Sequence, residues 1–579
     1  MQTYYTKEVN TQILIALMKA HRIRKVIASP GTTNINFVAS VQQDPYFELY
    51  SSVDERSAAY MACGLAAESG EPVALSCTGA TASRNYIPGL TEAYYRKLPV
   101  LAITSTQHEG RIGQNVAQVI DRRAVLNDMV NLSIQAPTVH TEEDKWALNV
   151  QINRALLELR RHGGGPVHIN LTTTYNKDFS VHKLPEAREI KRVCYGDELP
   201  QIPQGRTAIF VGAHGRWTDE LTAALDSFCA IYNGVVLCDQ TSNYRGKYRV
   251  LANLIASQEQ YFALCRNVDL LIDIGNVSGA YMSCRANQVW RVNPDGEVRD
   301  THKKLRYVFE MRESDFFKAY GDDQQGTSYG DYYREWIAER EKMEQKIPEL
   351  PFSNVWIAQQ TARRIPNNSI LYLGILNTLR AWNFFETPST VTCYSNTGGF
   401  GIDGGVSSAL GLSLADKSRL CFCVVGDLGF FYDMNALGNR HVGSNLRLML
   451  INNGRGTEFR NYNHPASRFG EDADPYMAAA GHYGNQSPEL VKHYAEDLGF
   501  AYMSAASKEE YLTCVERFLT PELTEKPMVF EVFTNSQCES DAVETMNKLE
   551  TSASGSAKQL AKSVLGDRGV QVIKKLMNR

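Results

Sequence analysis

Leu420-Cys421-Phe422-Cys423-Val424-Val425-Gly426-Asp427-Leu428 is a continuous apolar run that stops at a glycine and a carboxylate. Bounded by turn residues and too short for a helix, it reads as a strand buried on both faces, the kind that builds parallel sheets. A second run, Leu446 to Ile451, stops at Asn452-Asn453. Parallel neighbours need a crossover, and the residues between the runs supply one, with a helix expected to open near Asp433. Asp427 and Asn453 then stand at the carboxyl ends of two strands, where open α/β sheets bind ligands. One carboxylate and one carboxamide oxygen suit a hard divalent cation such as Mg2+. Gly426 lets the backbone approach a phosphate closely, and a helix N-terminus beyond it favours negative charge. The pattern predicts a metal-bound diphosphate; read alone, it also fits a strand-turn-helix pair in which the two polar residues only cap turns.

Lys25-Val26-Ile27-Ala28-Ser29-Pro30-Gly31 predicts a short strand ending in a turn, and Phe47 to Val53 predicts another, leading into Asp54-Glu55-Arg56-Ser57 at the start of an apolar helix. An acid in the first turn of a helix is ordinarily explained by the macrodipole. In a chain that also carries the metal motif, Glu55 becomes a candidate catalytic carboxylate. In thiamine diphosphate chemistry the cofactor carries the reactive carbon, and the protein supplies a glutamate that hydrogen-bonds the aminopyrimidine ring and relays the proton. The two half-sites together predict a thiamine diphosphate- and Mg2+-dependent enzyme.

These segments resemble the menaquinone-pathway SEPHCHC synthase family, the 2-succinyl-5-enolpyruvyl-6-hydroxy-3-cyclohexene-1-carboxylate synthases. So do Asn85-Tyr86-Ile87-Pro88, Glu92-Ala93-Tyr94-Tyr95, Ser395-Asn396, Gly401-Ile402-Asp403-Gly404 and Tyr432-Asp433-Met434-Asn435-Ala436-Leu437. Trp290-Arg291-Val292-Asn293-Pro294 to Arg299-Asp300 is similar as well, so the resemblance spans nearly the whole chain. It implies an α/β fold of three doubly wound parallel-sheet domains in the pyruvate decarboxylase-like, thiamine diphosphate-binding architecture. It implies that the backbone carbonyl of Arg455 joins Asp427 and Asn453 around Mg2+, and that Gly426 and Leu428 border the cofactor. Ile402 would wedge beneath the cofactor and hold it bent, Gln118 would contact the intermediate, and Arg380 would meet a substrate carboxylate. Without the family, Ile402 fits a core position and Gln118 the surface of a helix. The resemblance further implies a homodimer or homotetramer in which subunits share active sites.

The departures lie in the arginines. The family's Ser-Arg-Ser after Ser-Pro-Gly is Thr32-Thr33-Asn34 here, the arginine ahead of the matching glutamine is Gln107, and the one before Gly-Ile-Asp-Gly is Thr397. Only Arg380 lines up with a family arginine. A guanidinium grips a carboxylate with a planar fork that Thr and Gln lack, and removing one such grip costs about 1.5–3 kcal/mol. The family's pair of substrates, 2-oxoglutarate and isochorismate, is therefore expected to fit poorly unless Arg84, Arg111, Arg122 or Arg123 rebuilds the clamp. The expected enzyme is a carbon–carbon bond lyase or transferase that decarboxylates a 2-oxo acid and passes the acyl-anion equivalent to an unidentified acceptor. A simple 2-oxo acid decarboxylase and a SEPHCHC synthase with a rebuilt pocket are the alternatives within the cofactor class.

Composition bounds these readings. The 579 residues, 43% hydrophobic and 21% charged, suffice for several full cores, and a net charge of −4 with both signs interspersed leaves no footprint for nucleic acid. The start, Met1-Gln2-Thr3-Tyr4-Tyr5-Thr6-Lys7, has no signal pattern and no apolar run nears a membrane span, so a cytoplasmic protein away from membranes is expected. Twelve cysteines without a Cys-x-x-Cys pair, several inside apolar strands, read as reduced buried thiols. Alternating strands and helices predict a pyrimidine-binding domain over 1–185, a central α/β domain over 205–322 and a diphosphate-binding domain over 350–550. A Pro-, Lys- and Glu-rich linker is expected from Val181 to Gln204, and a C-terminal linker with an amphipathic helix over 551–579. Thr457 to Pro488, rich in Gly, Pro, Asn and His, predicts a long loop near the site. Val211-Gly212-Ala213-His214-Gly215 after a strand raises a different class, a nucleotide-dependent oxidoreductase, but a full Gly-x-Gly-x-x-Gly is missing.

Overall fold

Val100–Thr106 and Leu446–Asn452 are buried at every residue. Strands buried along their whole length have no solvent face to offer, so the sheets they join must be covered on both sides. The structure, a computed structural model, describes residues 3–280, 282, 284–321, 330–481 and 487–552. The chain divides into two units, Met1–Glu198 with Asp295–Glu310, and Leu199–Pro294 with Met311–Arg579.

In the first unit six parallel strands lie in the order Glu48–Ser51, Lys25–Ala28, Val73–Thr78, Val100–Thr106, Val167–Thr172, Leu132–Ala136. Alternate residues serve opposite cores. Val73, Leu75, Val100 and Ala102 pack with Ala58, Ala59 and Ala62 of the Glu55–Ser69 helix, whereas Ala74, Leu101 and Ile103 pack with Ile13, Leu14 and Leu17 of the Val9–Ala20 helix. In the second unit Thr392–Tyr394, Ile370–Leu373, Cys421–Gly426, Leu446–Asn452, Met528–Phe533 and Ala501–Ala505 repeat the same order, so the two sheets are topological copies. In each, the strand order reverses beside the first strand, and such a reversal opens the crevice where α/β sheets hold ligands. The second unit carries a further parallel sheet ordered Arg249–Leu251, Gly234–Cys238, Thr207–Val211, Asn267–Ile274, Arg285–Val292. Three parallel sheets in an α/β chain are the architecture expected from the sequence.

Some local expectations change. The helix after Cys421–Gly426 opens at Asp427 and closes at Asp433 instead of opening near it. The cause is local: Asp427 Oδ1 accepts the Leu428 amide at 2.8 Å, giving the first turn its own anion. Asp433 instead accepts the amide and the hydroxyl of Ser407, each at 2.6 Å, in the first turn of the Gly405–Ala415 helix. The 181–204 linker holds a strand, Lys191–Cys194, paired in parallel with Leu305–Glu310. Ion pairs fix it where apolar periodicity is lacking, with Arg192 meeting Glu158 at 3.2 Å and Glu310 at 3.3 Å. The stretch after Asn453 contains 3-10 turns at Thr457–Arg460 and Pro465–Ala473, and Arg455 and Arg460 both pair with Asp474. The predicted C-terminal helix, the boundary at residue 322 and residues 482–486 of the predicted Thr457 to Pro488 loop lie outside the described residues. All twelve cysteines are free thiols, with Cys77, Cys393, Cys421 and Cys423 buried in strands. Among the described residues no helix is long and apolar enough to cross a membrane.

Candidate active site

Asp427 follows directly on Cys421–Gly426 and Asn453 on Leu446–Asn452, and the register pairs Gly426 with Ile451. The two strand ends therefore stand side by side. Asp427 is only 3% exposed. Its Oδ1 is taken by the Leu428 amide, and the amides of Asn453, Gly454 and Arg455 add support, yet Oδ2 has no hydrogen-bond partner among the described residues. Burial pushes this acid up to about 6, the amides pulling the other way. Glu539, also buried, is pushed up to about 7, first by burial, with the charge of Asp427 adding to the rise. Its oxygens accept the Asn354 amide at 3.0 Å and the Thr534 hydroxyl at 2.6 Å.

Two buried carboxylates in electrostatic contact, one with an orphaned oxygen, form a pocket of negative potential. A divalent cation would answer both the charge and the open lone pair. Asn453 is half-buried, and its Oδ1 accepts the Thr457 hydroxyl at 2.6 Å, which orients the amide and leaves a lone pair available. The residues thus fit a Mg2+–diphosphate group, with Asp427 and Asn453 as side-chain ligands and the Arg455 carbonyl in the adjoining turn. The guanidinium of Arg455 is committed to Asp474. Leu428 packs toward the turn, 3.1 Å from where a Cβ on Gly456 would sit. Ile402 is half-buried in the loop ahead of Gly405–Ala415, not in a fully buried core position.

In the first unit, Glu55 opens the Glu55–Ser69 helix, with the Asp54 carboxylate capping it through the Arg56 amide at 3.1 Å. Glu55 is half-buried, and Asn85, at the end of the Ala80–Asn85 helix, donates to its Oε2 at 3.5 Å. Gln118 is exposed with φ +63°, so it lies in the left-handed region and not on a surface helix. A non-glycine residue held there carries about 1–2 kcal/mol of backbone strain, which tends to collect at functional loops.

Arg380, expected from the sequence to meet a substrate carboxylate, is occupied. Arg380 Nη1 and Nη2 donate to the two oxygens of Glu458 at 2.6 and 3.0 Å, and Nη1 also donates to Asn377 at 2.7 Å. Among the residues expected to stand in place of arginines, Thr33 is buried with its hydroxyl donated to the Ser105 carbonyl at 2.7 Å, Gln107 is hydrogen-bonded to Arg111, and Thr397 is buried. Arg84 donates to the Asp121 carbonyl at 2.9 Å and Arg123 pairs with the Asp121 carboxylate. Arg122 alone among the candidate replacements is buried. Sequence reasoning missed Glu458 and Glu539, whose partners Arg380, Asn354 and Asp427 are brought to them only by the fold, and Thr457, which meets Asn453 from four residues further along the chain. In the second unit the Gly212–Gly215 turn is tied down by His214, whose Nε2 meets Glu313 at 2.9 Å, and the next helix opens only at Asp219 with Thr218 as its cap. The turn therefore offers no helix N-terminus to a nucleotide phosphate.

Residues 10–125 match the family described as thiamine pyrophosphate enzyme, N-terminal TPP binding domain. Together with the parallel sheets and the carboxylate–carboxamide pair, this defines a thiamine diphosphate-dependent enzyme. The chain is 32% identical over 572 residues to the 2-succinyl-5-enolpyruvyl-6-hydroxy-3-cyclohexene-1-carboxylate synthase of Bacteroides fragilis, covering 92% of this chain and 97% of that one. It is 31% identical over 567 residues to the synthase of the same name from Bacteroides thetaiotaomicron, with the same shares of 92% and 97%. The chain belongs to this synthase family. A solved structure, the Rhodococcus jostii RHA1 thiamine diphosphate-dependent 4-hydroxybenzoylformate decarboxylase, aligns at a TM-score of 0.41 and 16% identity, over 91% of this chain and 99% of that one.

Proposed function

We propose that this enzyme decarboxylates a 2-oxo acid and transfers the resulting acyl-anion equivalent to an acceptor other than isochorismate. The observation that carries the reading is the buried Asp427, with an unpartnered oxygen beside Asn453, in a chain whose Arg380 already grips Glu458. Thiamine diphosphate, when bound, supplies the carbon that stabilises the acyl anion. In this reading Asp427, Asn453 and the Arg455 carbonyl hold the metal and diphosphate, with Gly426 and Leu428 against them. Ile402 props the bound group, Glu55 holds and returns the ring proton, and Gln118 orients the reacting species. Arg380 enters substrate binding only if Glu458 is displaced or shared, because a bidentate pair already fills its fork.

The test is product analysis by mass spectrometry with holoenzyme, a panel of 2-oxo acids and isochorismate. CO2 release from a 2-oxo acid is expected, with less than about a hundredth of the SEPHCHC formed by a Bacteroides synthase under the same conditions, as the removal of two or more carboxylate grips implies. Efficient SEPHCHC formation would return the chain to the family reaction, and aldehyde as the sole product would make it a simple decarboxylase.

The same reading includes a homodimer or dimer of dimers in the cytosol, with each site shared between subunits. Apolar side chains exposed on the first unit, Val53, Tyr60, Met61 and Tyr95, and on the second, Leu414 and Tyr432, are surface that a partner copy would cover. Mixing Glu55→Gln with Asp427→Ala subunits should restore part of the activity, since one site of a mixed dimer receives both intact residues. Verified subunit exchange with no recovered activity would rule out the shared site.

A further inference from the structure

We propose that the first unit holds a binding site for the carboxylate of a small organic acid with an apolar body, built on Arg122. The proposal stands on a cavity of about 210 Å³ and needs no assumption about the reaction above. Arg122 lines this cavity and is 3% exposed. Its Nη2 donates to Asn170 Oδ1 at 2.6 Å, while Nε and Nη1 have no hydrogen-bond partner among the described residues. A guanidinium taken out of water without a counter-charge is costly, and arginine is rarely buried unless paired.

The neighbouring side chains do not supply that charge. His168 shares the wall, but its ring nitrogens are engaged by the hydroxyls of Thr104 at 2.6 Å and Ser133 at 2.8 Å, and burial pushes it down to about 3, so it is neutral. Asn170 is held in turn by Gln135 at 2.6 Å. Arg84 also lines the cavity and brings a second positive charge, with its Nη2 donated to a backbone carbonyl. Among the described residues no acidic side chain lines the cavity, and much of the remaining wall is apolar, including Leu90, Ala102 and Met129. Burial lowers Arg122 to about 10, which leaves it cationic at neutral pH. A planar carboxylate matches the open fork of the guanidinium, and an apolar body suits the wall behind it. The Ala80–Asn85 helix that contributes Ser83 and Arg84 to the wall also positions Asn85 against Glu55, so the cavity shares an element with the candidate catalytic carboxylate.

The experiment is isothermal titration of the full chain with benzoate, and with benzamide as its uncharged isostere. Wild-type protein should bind benzoate saturably and about 10-fold or more tightly than benzamide, the ratio expected for the removal of one charge-assisted hydrogen bond. Arg122→Met, checked for folding by circular dichroism, should abolish that preference. Absence of saturable benzoate binding overturns the proposal, as does equal binding of the amide or an unchanged preference in Arg122→Met. If that variant does not fold, the acid–amide comparison on wild-type protein decides. Competitive inhibition of 2-oxo acid turnover by benzoate would assign the site to a substrate, and a non-competitive effect would assign it to a separate effector.

Discussion

Glu55→Gln is expected to retain thiamine diphosphate and to lose about 10²–10⁴-fold in turnover, the range for removal of a positioned acid–base group. The substitution keeps the length and shape of the side chain, and its amide oxygen can still accept from Asn85, which donates to Glu55 at 3.5 Å. The Asp54 cap and the rest of the helix are untouched, so the melting temperature should move little. What disappears is a group able to take up and return a proton. Bound cofactor is measured by mass spectrometry of the desalted protein, and turnover by CO2 release. A variant that keeps both cofactor and near-full activity would remove Glu55 from the chemistry; one that loses the cofactor would make it a binding residue.

Asp427 and Asn453 are legible because each follows a largely apolar run, unbroken over residues 421–425 and interrupted only by Arg447 over residues 446–451, and open α/β sheets place their polar ligand groups at such carboxyl edges. Glu55 is legible for a related reason, as an acid in the first turn of a helix that follows a strand. The arginine clamp is a different matter. The sequence raises the expectation that Thr33, Gln107 and Thr397 stand in place of arginines, but the pairing of Arg380 with Glu458 joins residues from separate elements, and neither sequence neighbourhood carries a trace of it. Arg122 shows the same limit more sharply. Next to Arg123 it looks like half of a surface pair, yet one guanidinium sits on Asp121 in the open and the other is buried against Asn170. Gln118 reads as helical because Val116 to Asp121 has a mixed polar pattern that helices share, whereas its positive φ is a property of the loop around it. The charges of the Lys191–Cys194 strand hide it in the sequence, and the fold neutralises Arg192 with Glu158 and Glu310.

Replacing Asp427 should move cofactor retention and stability in opposite directions. Asp427→Ala removes the only acidic side chain of the proposed metal set, so thiamine diphosphate and Mg2+ should no longer survive desalting together, whereas wild-type protein retains both. Asp427→Asn sharpens the test, because it keeps the shape and removes only the charge. In the metal-free protein the folded-state pKa of Asp427, about 6, lies above its usual value of 3.8, so burial penalises the ionised form. Such a group favours folding while protonated. Its contribution is present below about pH 4 and is lost as pH rises through about 6, a difference of about 3 kcal/mol for a shift of about two units. Metal-free Asp427→Asn should therefore unfold at higher denaturant than metal-free wild-type at about pH 8, by up to that amount, and show no such gain at about pH 4. Binding runs the other way. The metal needs the ionised carboxylate, so wild-type affinity for Mg2+ with thiamine diphosphate should fall about tenfold per unit as pH drops below about 6, while Asp427→Asn, which lacks the ligand carboxylate, stays weaker throughout and keeps only the shallower dependence that neighbouring Glu539 imposes. Calorimetric titration across about pH 5–8 and denaturant melts of the metal-free proteins read the two effects separately. Tight, metal-independent cofactor binding by the Asn variant would take Asp427 out of the metal site, and a loss of stability at the alkaline end would mean that its charge is compensated within the fold.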